Sequence, residues 1–503
     1  MARYKTSDAA AGQGLFLTVN LNQQLLCGTF EYMLNDIIDT KIDLSEFQKN
    51  YKNDLTGASA VPPSLLLKLI IYSYKRGHLS SREIYELNNT NIIAKALTGD
   101  MSIHWTTIAS FISSNKGAFE KVFTEVLMYC NELELIGGEM FAVDGLRLPS
   151  NASIEMSGTE AELTKRLETY RKMAAKHIEK HERQDEHGSL EGAAQKRFEQ
   201  QDKEYNRRIS SLQNYLETMK RKTGSGGQEI KSNVTDNESA MIYSSKGIIQ
   251  GYIGIGVADS KTQIIVSAKA FGSASETEHL PQMLDETGKN LQAAGVKELA
   301  DGKKRLMLGD SHYFSESNFK ACEERSIEAV FADKEKNRSC TNGDSRYNTS
   351  NFRYNASEDS YQCPHGKQLY REKDVKIGVR TGKRYRAKAK DCRVCPVFSR
   401  CIKSKNEQSK LKNGKSLLIT PSNEENSLSH KMREKLSKLE YQDAYARRIQ
   451  IIEPVFANIS YCKGLNRFTL RGKEKVNSQW LLYTIVHNLC KSLDAYNKKR
   501  KCA

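Results

Sequence analysis

No apolar run in this 503-residue chain reaches the roughly 18 residues that a membrane span needs, and no charged start followed by an apolar core and a small-residue cleavage site opens it. A soluble, cytoplasmic protein with no membrane partner is expected. Acidic residues are scarce in two stretches: residues 364–415 hold 17 Lys and Arg against 4 Asp and Glu, and residues 431–503 hold 16 against 6. These stretches outweigh the whole formal charge of +16, so the rest of the chain is net acidic. Positive charge concentrated in this way suits a polyanion, because each Lys or Arg set on a phosphate releases condensed counterions. A soluble protein with a generally basic surface is the alternative. The length implies two or three folded units. In a reducing compartment the eleven cysteines point to buried or metal-bound thiols rather than a disulfide framework.

Apolar residues recur at helical spacing from about Leu25 to Leu135, as in "PPSLLLKLIIYSYKRG" from Pro62, where the prolines suit an opening turn. "HLSSREIYELNNTNIIAKALTGD" reads as a helix capped by Ser80 or Ser81, then a second one ending at Gly99. "HWTTIASFISSN" predicts a shorter helix entered through Thr106 or Thr107. At Met140 the pattern changes: "MFAVDG" fits a buried strand that delivers Asp144 to its end. Residues 157–223 become Glu, Lys, Arg, Gln and Ala, predicting a charged helical insertion, with "TGSGGQ" from Thr223 a flexible boundary.

Strand character returns in "GIIQGYIGIGVADSKTQIIVSAKAF", two runs separated by a turn at Asp259, Ser260 and Lys261. "KRLMLGD" is a further apolar run ending in Asp310, followed by a helix that Ser315 can cap. Residues 335–425 show little periodicity and read as a second insertion, stabilised by something other than a hydrophobic core. Helical pattern resumes near Leu428, and the last helix sets Leu481, Ile485, Leu489 and Leu493 at four-residue steps. The chain is thus a mixed α/β protein. Its boundaries are a helical N-terminal domain at 1–135, a core assembled from 136–156, 224–334 and 426–495, and insertions at 157–223 and 335–425.

Phosphodiester chemistry needs two divalent cations about 4 Å apart, and hard cations want carboxylate oxygens. Asp144 and Asp310 both end apolar runs, although an Asp-Gly pair also turns a chain for purely structural reasons. Cys363, Cys392, Cys395 and Cys401 fit a tetrahedral thiolate zinc site, with His365 a spare ligand; buried free thiols are the alternative. Cys27, Cys130, Cys322, Cys340, Cys462, Cys490 and Cys502 show no such grouping.

Several separated segments resemble, in order, the DDE transposases of bacterial insertion sequences, in the group with a helical N-terminal domain. They are "PPSLLLKLIIYSYKRGHLSSREI", "FAVDGLRLPSNAS", "TDNESAMIYSSKGIIQGYIGIGVADSKTQIIV", "LMLGDSHYFSESNF" and "YARRIQIIEPVFANISYCKGLNRFTLRGKEKVNSQWLLYTIVHNL". The resemblance implies an RNase H-like fold in which Asp144, Asp310 and Glu453 hold Mg²⁺ or Mn²⁺, two ions in all. It implies that Tyr445 and Arg448 handle a phosphate near the cut, with Lys463, Arg467 and Arg471 as further DNA contacts. It departs from the family at Ser460, where a Lys is expected, and at Met241, where an Arg is expected. Asp236 and Asp259 stay outside the triad, His312 is expected to pack or be solvated, and Trp480 to be core. The activity implied is cleavage at element ends by metal-activated water, then attack of the 3′ hydroxyls on target DNA by at least a dimer in the bacterial nucleoid. An inactive DNA-binding descendant and a nuclease that cuts without joining are the alternatives.

Overall fold

The computed structural model describes residues 20–51, 59–185, 192–218, 221–224, 227–244, 247–300, 303–333, 347, 351–377, 380–402, 413–419 and 427–501. Cys340, Cys502, part of "TGSGGQ" and parts of both basic stretches lie outside the described residues. Contacts divide the chain into one unit of Met1–Ser114 with Leu493–Ala503 and another of Asn115–Ser492. Among the described residues no helix is long and apolar enough to cross a membrane.

The first unit is helical. Its helices are α1 (Phe30–Thr40), α2 (Pro63–Lys75), α3 (Ser81–Thr90), α4 (Ile92–Thr98) and α5 (Trp105–Ser114). Ser80 caps α3 in a reciprocal box with Glu83, which satisfies two orphan N–H groups at once. Gly99, at φ 62°, ends α4 in the left-handed conformation that glycine adopts without steric penalty. α5 begins at Trp105, one residue before the predicted entry. The core is aliphatic and aromatic, with Phe47 stacked on Phe111 at 4.9 Å.

The second unit opens with α6 (Lys116–Glu132) and is organised on a mixed sheet. Its strands are β1 (Met140–Pro149), β2 (Ala240–Ser244), β3 (Gly247–Asp259), β4 (Ile265–Phe271), β5 (Arg305–Gly309) and β6 (Ile327–Phe331). β1 pairs antiparallel with β3 along one side and parallel with β5 along the other, and β6 extends the parallel side. On its far edge β3 pairs with both β2 and β4. The sheet interior is Phe141, Ala142, Val143, Ile253, Ile255 and Val257, all buried.

Between β1 and β2 lie α7 (Glu160–Asp185) and α8 (Ala193–Thr218), joined by a small core of Leu163, Leu167 and Leu212. α9 (Leu280–Ala293) and α10 (Glu316–Glu324) flank β5 in sequence, and Ser315 caps α10. The chain returns through α11 (Leu428–Ser437) and α12 (Leu439–Ala457), the latter lying against β1, β3, β5 and β6. A π-turn at Asn458–Cys462 leads to α13 (Lys473–Lys501).

α13 also closes the open edge of the sheet. The Asn477 side chain accepts from the Ala270 N–H at 3.0 Å, and Asn488 both accepts from and donates to the Ile265 backbone at 2.9 Å. Edge strand β4 therefore offers fewer bare backbone groups for mispairing. Trp480 is fully buried and donates to the Ile255 carbonyl at 3.0 Å. Its indole lies so close to Gly254 that a Cβ there would approach it to 3.0 Å.

Residues 335–425 differ from the sequence expectation. β7 (Arg353–Asn355), β8 (Ser360–Gln362), β9 (Gln368–Ile377), β10 (Arg380–Ala387) and β11 (Ser416–Ile419) form a five-stranded antiparallel sheet. It has its own core of Phe352, Tyr361, Leu369, Tyr385, Ala387, Leu417 and Ile419. Its apolar residues are few and widely spaced among Lys and Arg, so the stretch reads as basic although one side of it is packed.

Trp480→Ala should cost about 3–5 kcal/mol, the usual loss for a buried large aromatic. A urea titration followed by circular dichroism should show the lowered midpoint, whereas the exposed Tyr461→Ala should leave it unchanged.

Candidate active site

Asp144 does not end its strand as the sequence suggested: β1 continues through Gly145 to Pro149 on the β3 side. What stops is the pairing with β5, whose last partners are Val143 and Gly309. The next residues along the two parallel strands are Asp144 and Asp310, side by side where the strands part. Neighbouring strands lie about 4.8 Å apart, so register alone brings the two carboxylates together.

Arg448, on α12, joins the third acid to the first. Its Nη1 donates to Asp144 Oδ2 at 3.0 Å, and its Nη2 lies 3.7 Å from Glu453 Oε1. Its Nε is buried without a hydrogen-bond partner. Tyr445, one turn earlier, hydrogen-bonds Arg448; burial chiefly raises the pKa of its phenol. Glu453 is the exposed member, with 56% of its side chain open to solvent.

A fourth carboxylate stands in the same place. Glu276, between β4 and α9, is 3% exposed and feels both Asp144 and Asp310. Arg147 Nε and Nη2 donate to its Oε1 at 3.2 and 3.0 Å, and Tyr313 donates to Oε2 at 3.4 Å. Gly145 makes room for it, since a Cβ there would lie 2.6 Å from the Glu276 carboxyl. Arg147 Nη2 also lies 3.4 Å from His312 Nε2, and His312 Nδ1 lies 2.6 Å from Asp310 Oδ2. A chain of contacts thus runs from Glu276 through Arg147 and His312 to Asp310. His312 neither packs nor faces only water: its main-chain N–H also donates to Asp310 Oδ1 at 2.8 Å.

Charge follows from this geometry. Burial raises the pKa of Asp144, against the Gly145 N–H and Arg448, with Asp310 adding to the rise. Burial likewise raises Glu276, with Arg147 opposing. Burial pushes Asp310 upward too, but hydrogen bonding to His312 and its charge outweigh it, so the net shift is down. The same hydrogen bond raises His312.

The other sequence-chosen residues are elsewhere. Asp259 is buried and accepts from the N–H groups of Gly137, Gly138 and Lys261, tying a turn. Asp236 accepts from the Tyr252 hydroxyl at 2.9 Å. Lys463 is buried, with its ammonium on the Asn458 side chain, while Arg467 and Arg471 are exposed. Met241 is on β2 and the Ser460 hydroxyl is buried. Cys363, Cys392, Cys395 and Cys401 line one cavity of about 30 Å³ together with His365. Among the described residues, no three His, Cys, Asp or Glu side chains converge as a ready-made metal cage. Sequence reasoning missed Glu276 and Arg147; the glycine beside Asp144 was the one signal that something large occupies that space.

Residues 362–493 match the family model described as a transposase DDE domain, and residues 19–114 match the transposase domain DUF772. Both matches are to transposase families, and together they span less than half of the chain. Glu453, Arg448 and all four clustered cysteines fall within the first matched segment, and Asp144 and Asp310 precede it. No curated protein matches this chain. Among solved structures it is similar to the piggyBac transposase synaptic complex with hairpin DNA, at 10% identity and a TM-score of 0.34, over 94% of this chain and 76% of that one.

Arg147→Ala should leave Glu276 buried without its cation and cost up to about 3 kcal/mol. Because the folded pKa of Glu276 is raised, the native state holds the proton more tightly, and stability falls as pH rises above the ordinary glutamate range. The penalty should therefore be larger at pH 8 than at pH 5 in paired urea titrations; an equal penalty at both would reject the ionised Glu276 as its cause.

Proposed function

We propose that this protein is a DDE transposase that binds the terminal inverted repeats of an insertion sequence, cleaves a phosphodiester at each end with metal-activated water, and transfers the 3′ hydroxyls to target DNA. The observation carrying this reading is the pairing of Asp144 with Asp310 at the parting of β1 and β5, with Arg448 reaching both Asp144 and Glu453. The strand order supports an RNase H-like core: antiparallel β4, β3 and β1, continued by β5 and β6 parallel to β1. In this reading residues 136–156, 224–334 and 426–495 form the catalytic core, residues 1–135 bind the ends, and two copies act together on paired ends.

Asp144, Asp310 and Glu453 would hold Mg²⁺ or Mn²⁺. Their donor chemistry fits, since all three offer the hard oxygens these cations require and burial leaves Asp144 short of compensating charge. Bound there, the cations activate the attacking oxygen and stabilise the leaving one. Arg448 then has a second anion to serve: its guanidinium can accept a phosphate bidentately, and its unpartnered Nε is a spare donor. Tyr445 orients it. Arg467 and Arg471, both exposed, are better placed for DNA than the buried Lys463.

In the same proposal Cys363, Cys392, Cys395 and Cys401 carry a structural Zn²⁺. Supporting it, the Lys367 N–H donates to Cys363 Sγ at 3.3 Å and the Lys415 N–H to Cys392 Sγ at 3.4 Å, contacts that stabilise thiolates. Cys401 feels Lys415 and the other three thiols, although burial is the largest influence on it and raises its pKa. His365 faces Tyr347 instead, 3.4 Å from its hydroxyl.

The deciding measurement is cleavage and strand transfer on DNA carrying the element's own ends, with Mg²⁺ or Mn²⁺. Wild type should cut and join; Asp310→Asn should bind the ends and lose at least a thousandfold in both steps, on the order of what removal of a group that acts in concert with its partners costs. Binding without cutting by wild type would leave a DNA-binding descendant, and cutting without joining a nuclease.

A further inference from the structure

We infer that a cleft between the helical insertion and the core grips the DNA backbone about five base-pair steps from the scissile phosphate. The inference rests on the transposase reading and adds a DNA-binding site to it. The cleft encloses about 660 Å³. Four of its lining residues are arginines: Arg207 and Arg208 on α8, and Arg467 and Arg471 between α12 and α13. Among the described residues that line it, the only carboxylates are Glu155 and Glu204.

The cations outnumber the anions in a specific way. Arg207 and Arg208 share Glu204, at 2.9 and 2.7 Å, so one carboxylate serves two guanidiniums. Arg208 also donates to the Tyr170 hydroxyl at 2.9 Å. Across the cleft Arg471 Nε donates to the Asn151 carbonyl at 2.7 Å, and Arg467 Nη2 donates to Asn151 Oδ1 at 3.2 Å. Carbonyl oxygens orient a guanidinium without cancelling its charge, and each guanidinium has five N–H donors. Arginines so fixed on two facing walls suit a string of phosphates, and the volume exceeds what a lone phosphate fills.

Position supplies the register. Asn151 follows β1, and Pro149 lies five residues along the strand from Asp144. At about 3.4 Å per residue that is about 17 Å. One DNA strand rises about 3.4 Å per step, so the same span is about five steps. DNA cut at Asp144 and running in the direction of β1 would meet the cleft at that step.

The test measures anisotropy of a labelled element end without divalent cations, between about 50 and about 200 mM NaCl. Wild type, Arg207→Gln, Arg471→Gln and the double variant are compared. Each substitution should reduce the slope of log K against log[NaCl] by about 0.9, and Arg207→Lys should retain the wild-type slope. Methylphosphonates four to six steps from the cut should weaken wild type and leave the double variant little changed. Unaltered slopes, or an equal methylphosphonate effect in both proteins, overturn the inference; so does loss of self-association with DNA affinity intact, which would mark a contact between copies. Failure of the transposase reading is distinguishable, because it appears as absent Mg²⁺-dependent cleavage whatever the slopes. Circular dichroism melts of all variants separate lost contacts from lost folding.

Discussion

Burial pushes the carboxyls of Asp144 and Glu276 toward their neutral forms, and each also feels the charge of Asp310. Three acids this close in a partly dry site can stay ionised only with cations set among them, and the structure supplies them from every side. Arg147 comes from the same strand as Asp144, His312 from the loop after β5, and Arg448 from α12. The pairs are unequal in kind. Arg147 holds a carboxylate that is almost wholly buried, so its removal strands a charge. Arg448 instead holds Asp144 on one side and the exposed Glu453 on the other, with one N–H left over. The first pair reads as scaffolding and the second as a contact that can be exchanged.

Much of the scaffold around this charge cluster was legible in the sequence. Apolar runs ending in Asp144 and Asp310 are strands, and parallel pairing of such runs puts their following residues together. The predicted turn at Asp259, Ser260 and Lys261 lies between β3 and β4, and Trp480 is core. Periodicity could find these because the groups that carry it, buried Val, Ile, Leu and Trp, are also the groups that make the fold.

Other parts were hidden for physical reasons. Glu276 sits in "GSASETEHL", which reads as a polar connection with a cap; only the missing side chain at Gly145, across space, explains why a glutamate is buried there. The five-stranded sheet within residues 335–425 was hidden by its composition, since its seven core residues are scattered from Phe352 to Ile419 among many Lys and Arg. His312 was read as bland because its partner is two residues away, a distance at which sequence spacing says nothing about side-chain direction.

The π-turn after α12 decides which side chains of this segment reach solvent. A helix continued regularly past Ala457 would carry position 460 on with its neighbours, but Asn458–Cys462 widens instead, and the Ser460 hydroxyl is buried. Lys463 is buried too, its ammonium taken by the Asn458 side chain. The chain then turns outward and exposes Arg467 and Arg471, both anchored on Asn151 at the end of the segment that leaves β1. The exposed basic side chains here stand on the loop beyond the helix that carries Glu453, and that loop forms one wall of the cleft whose other wall is the charged insertion. An insertion that looks from its composition like a solvated spacer is thereby joined physically to the strand that carries Asp144.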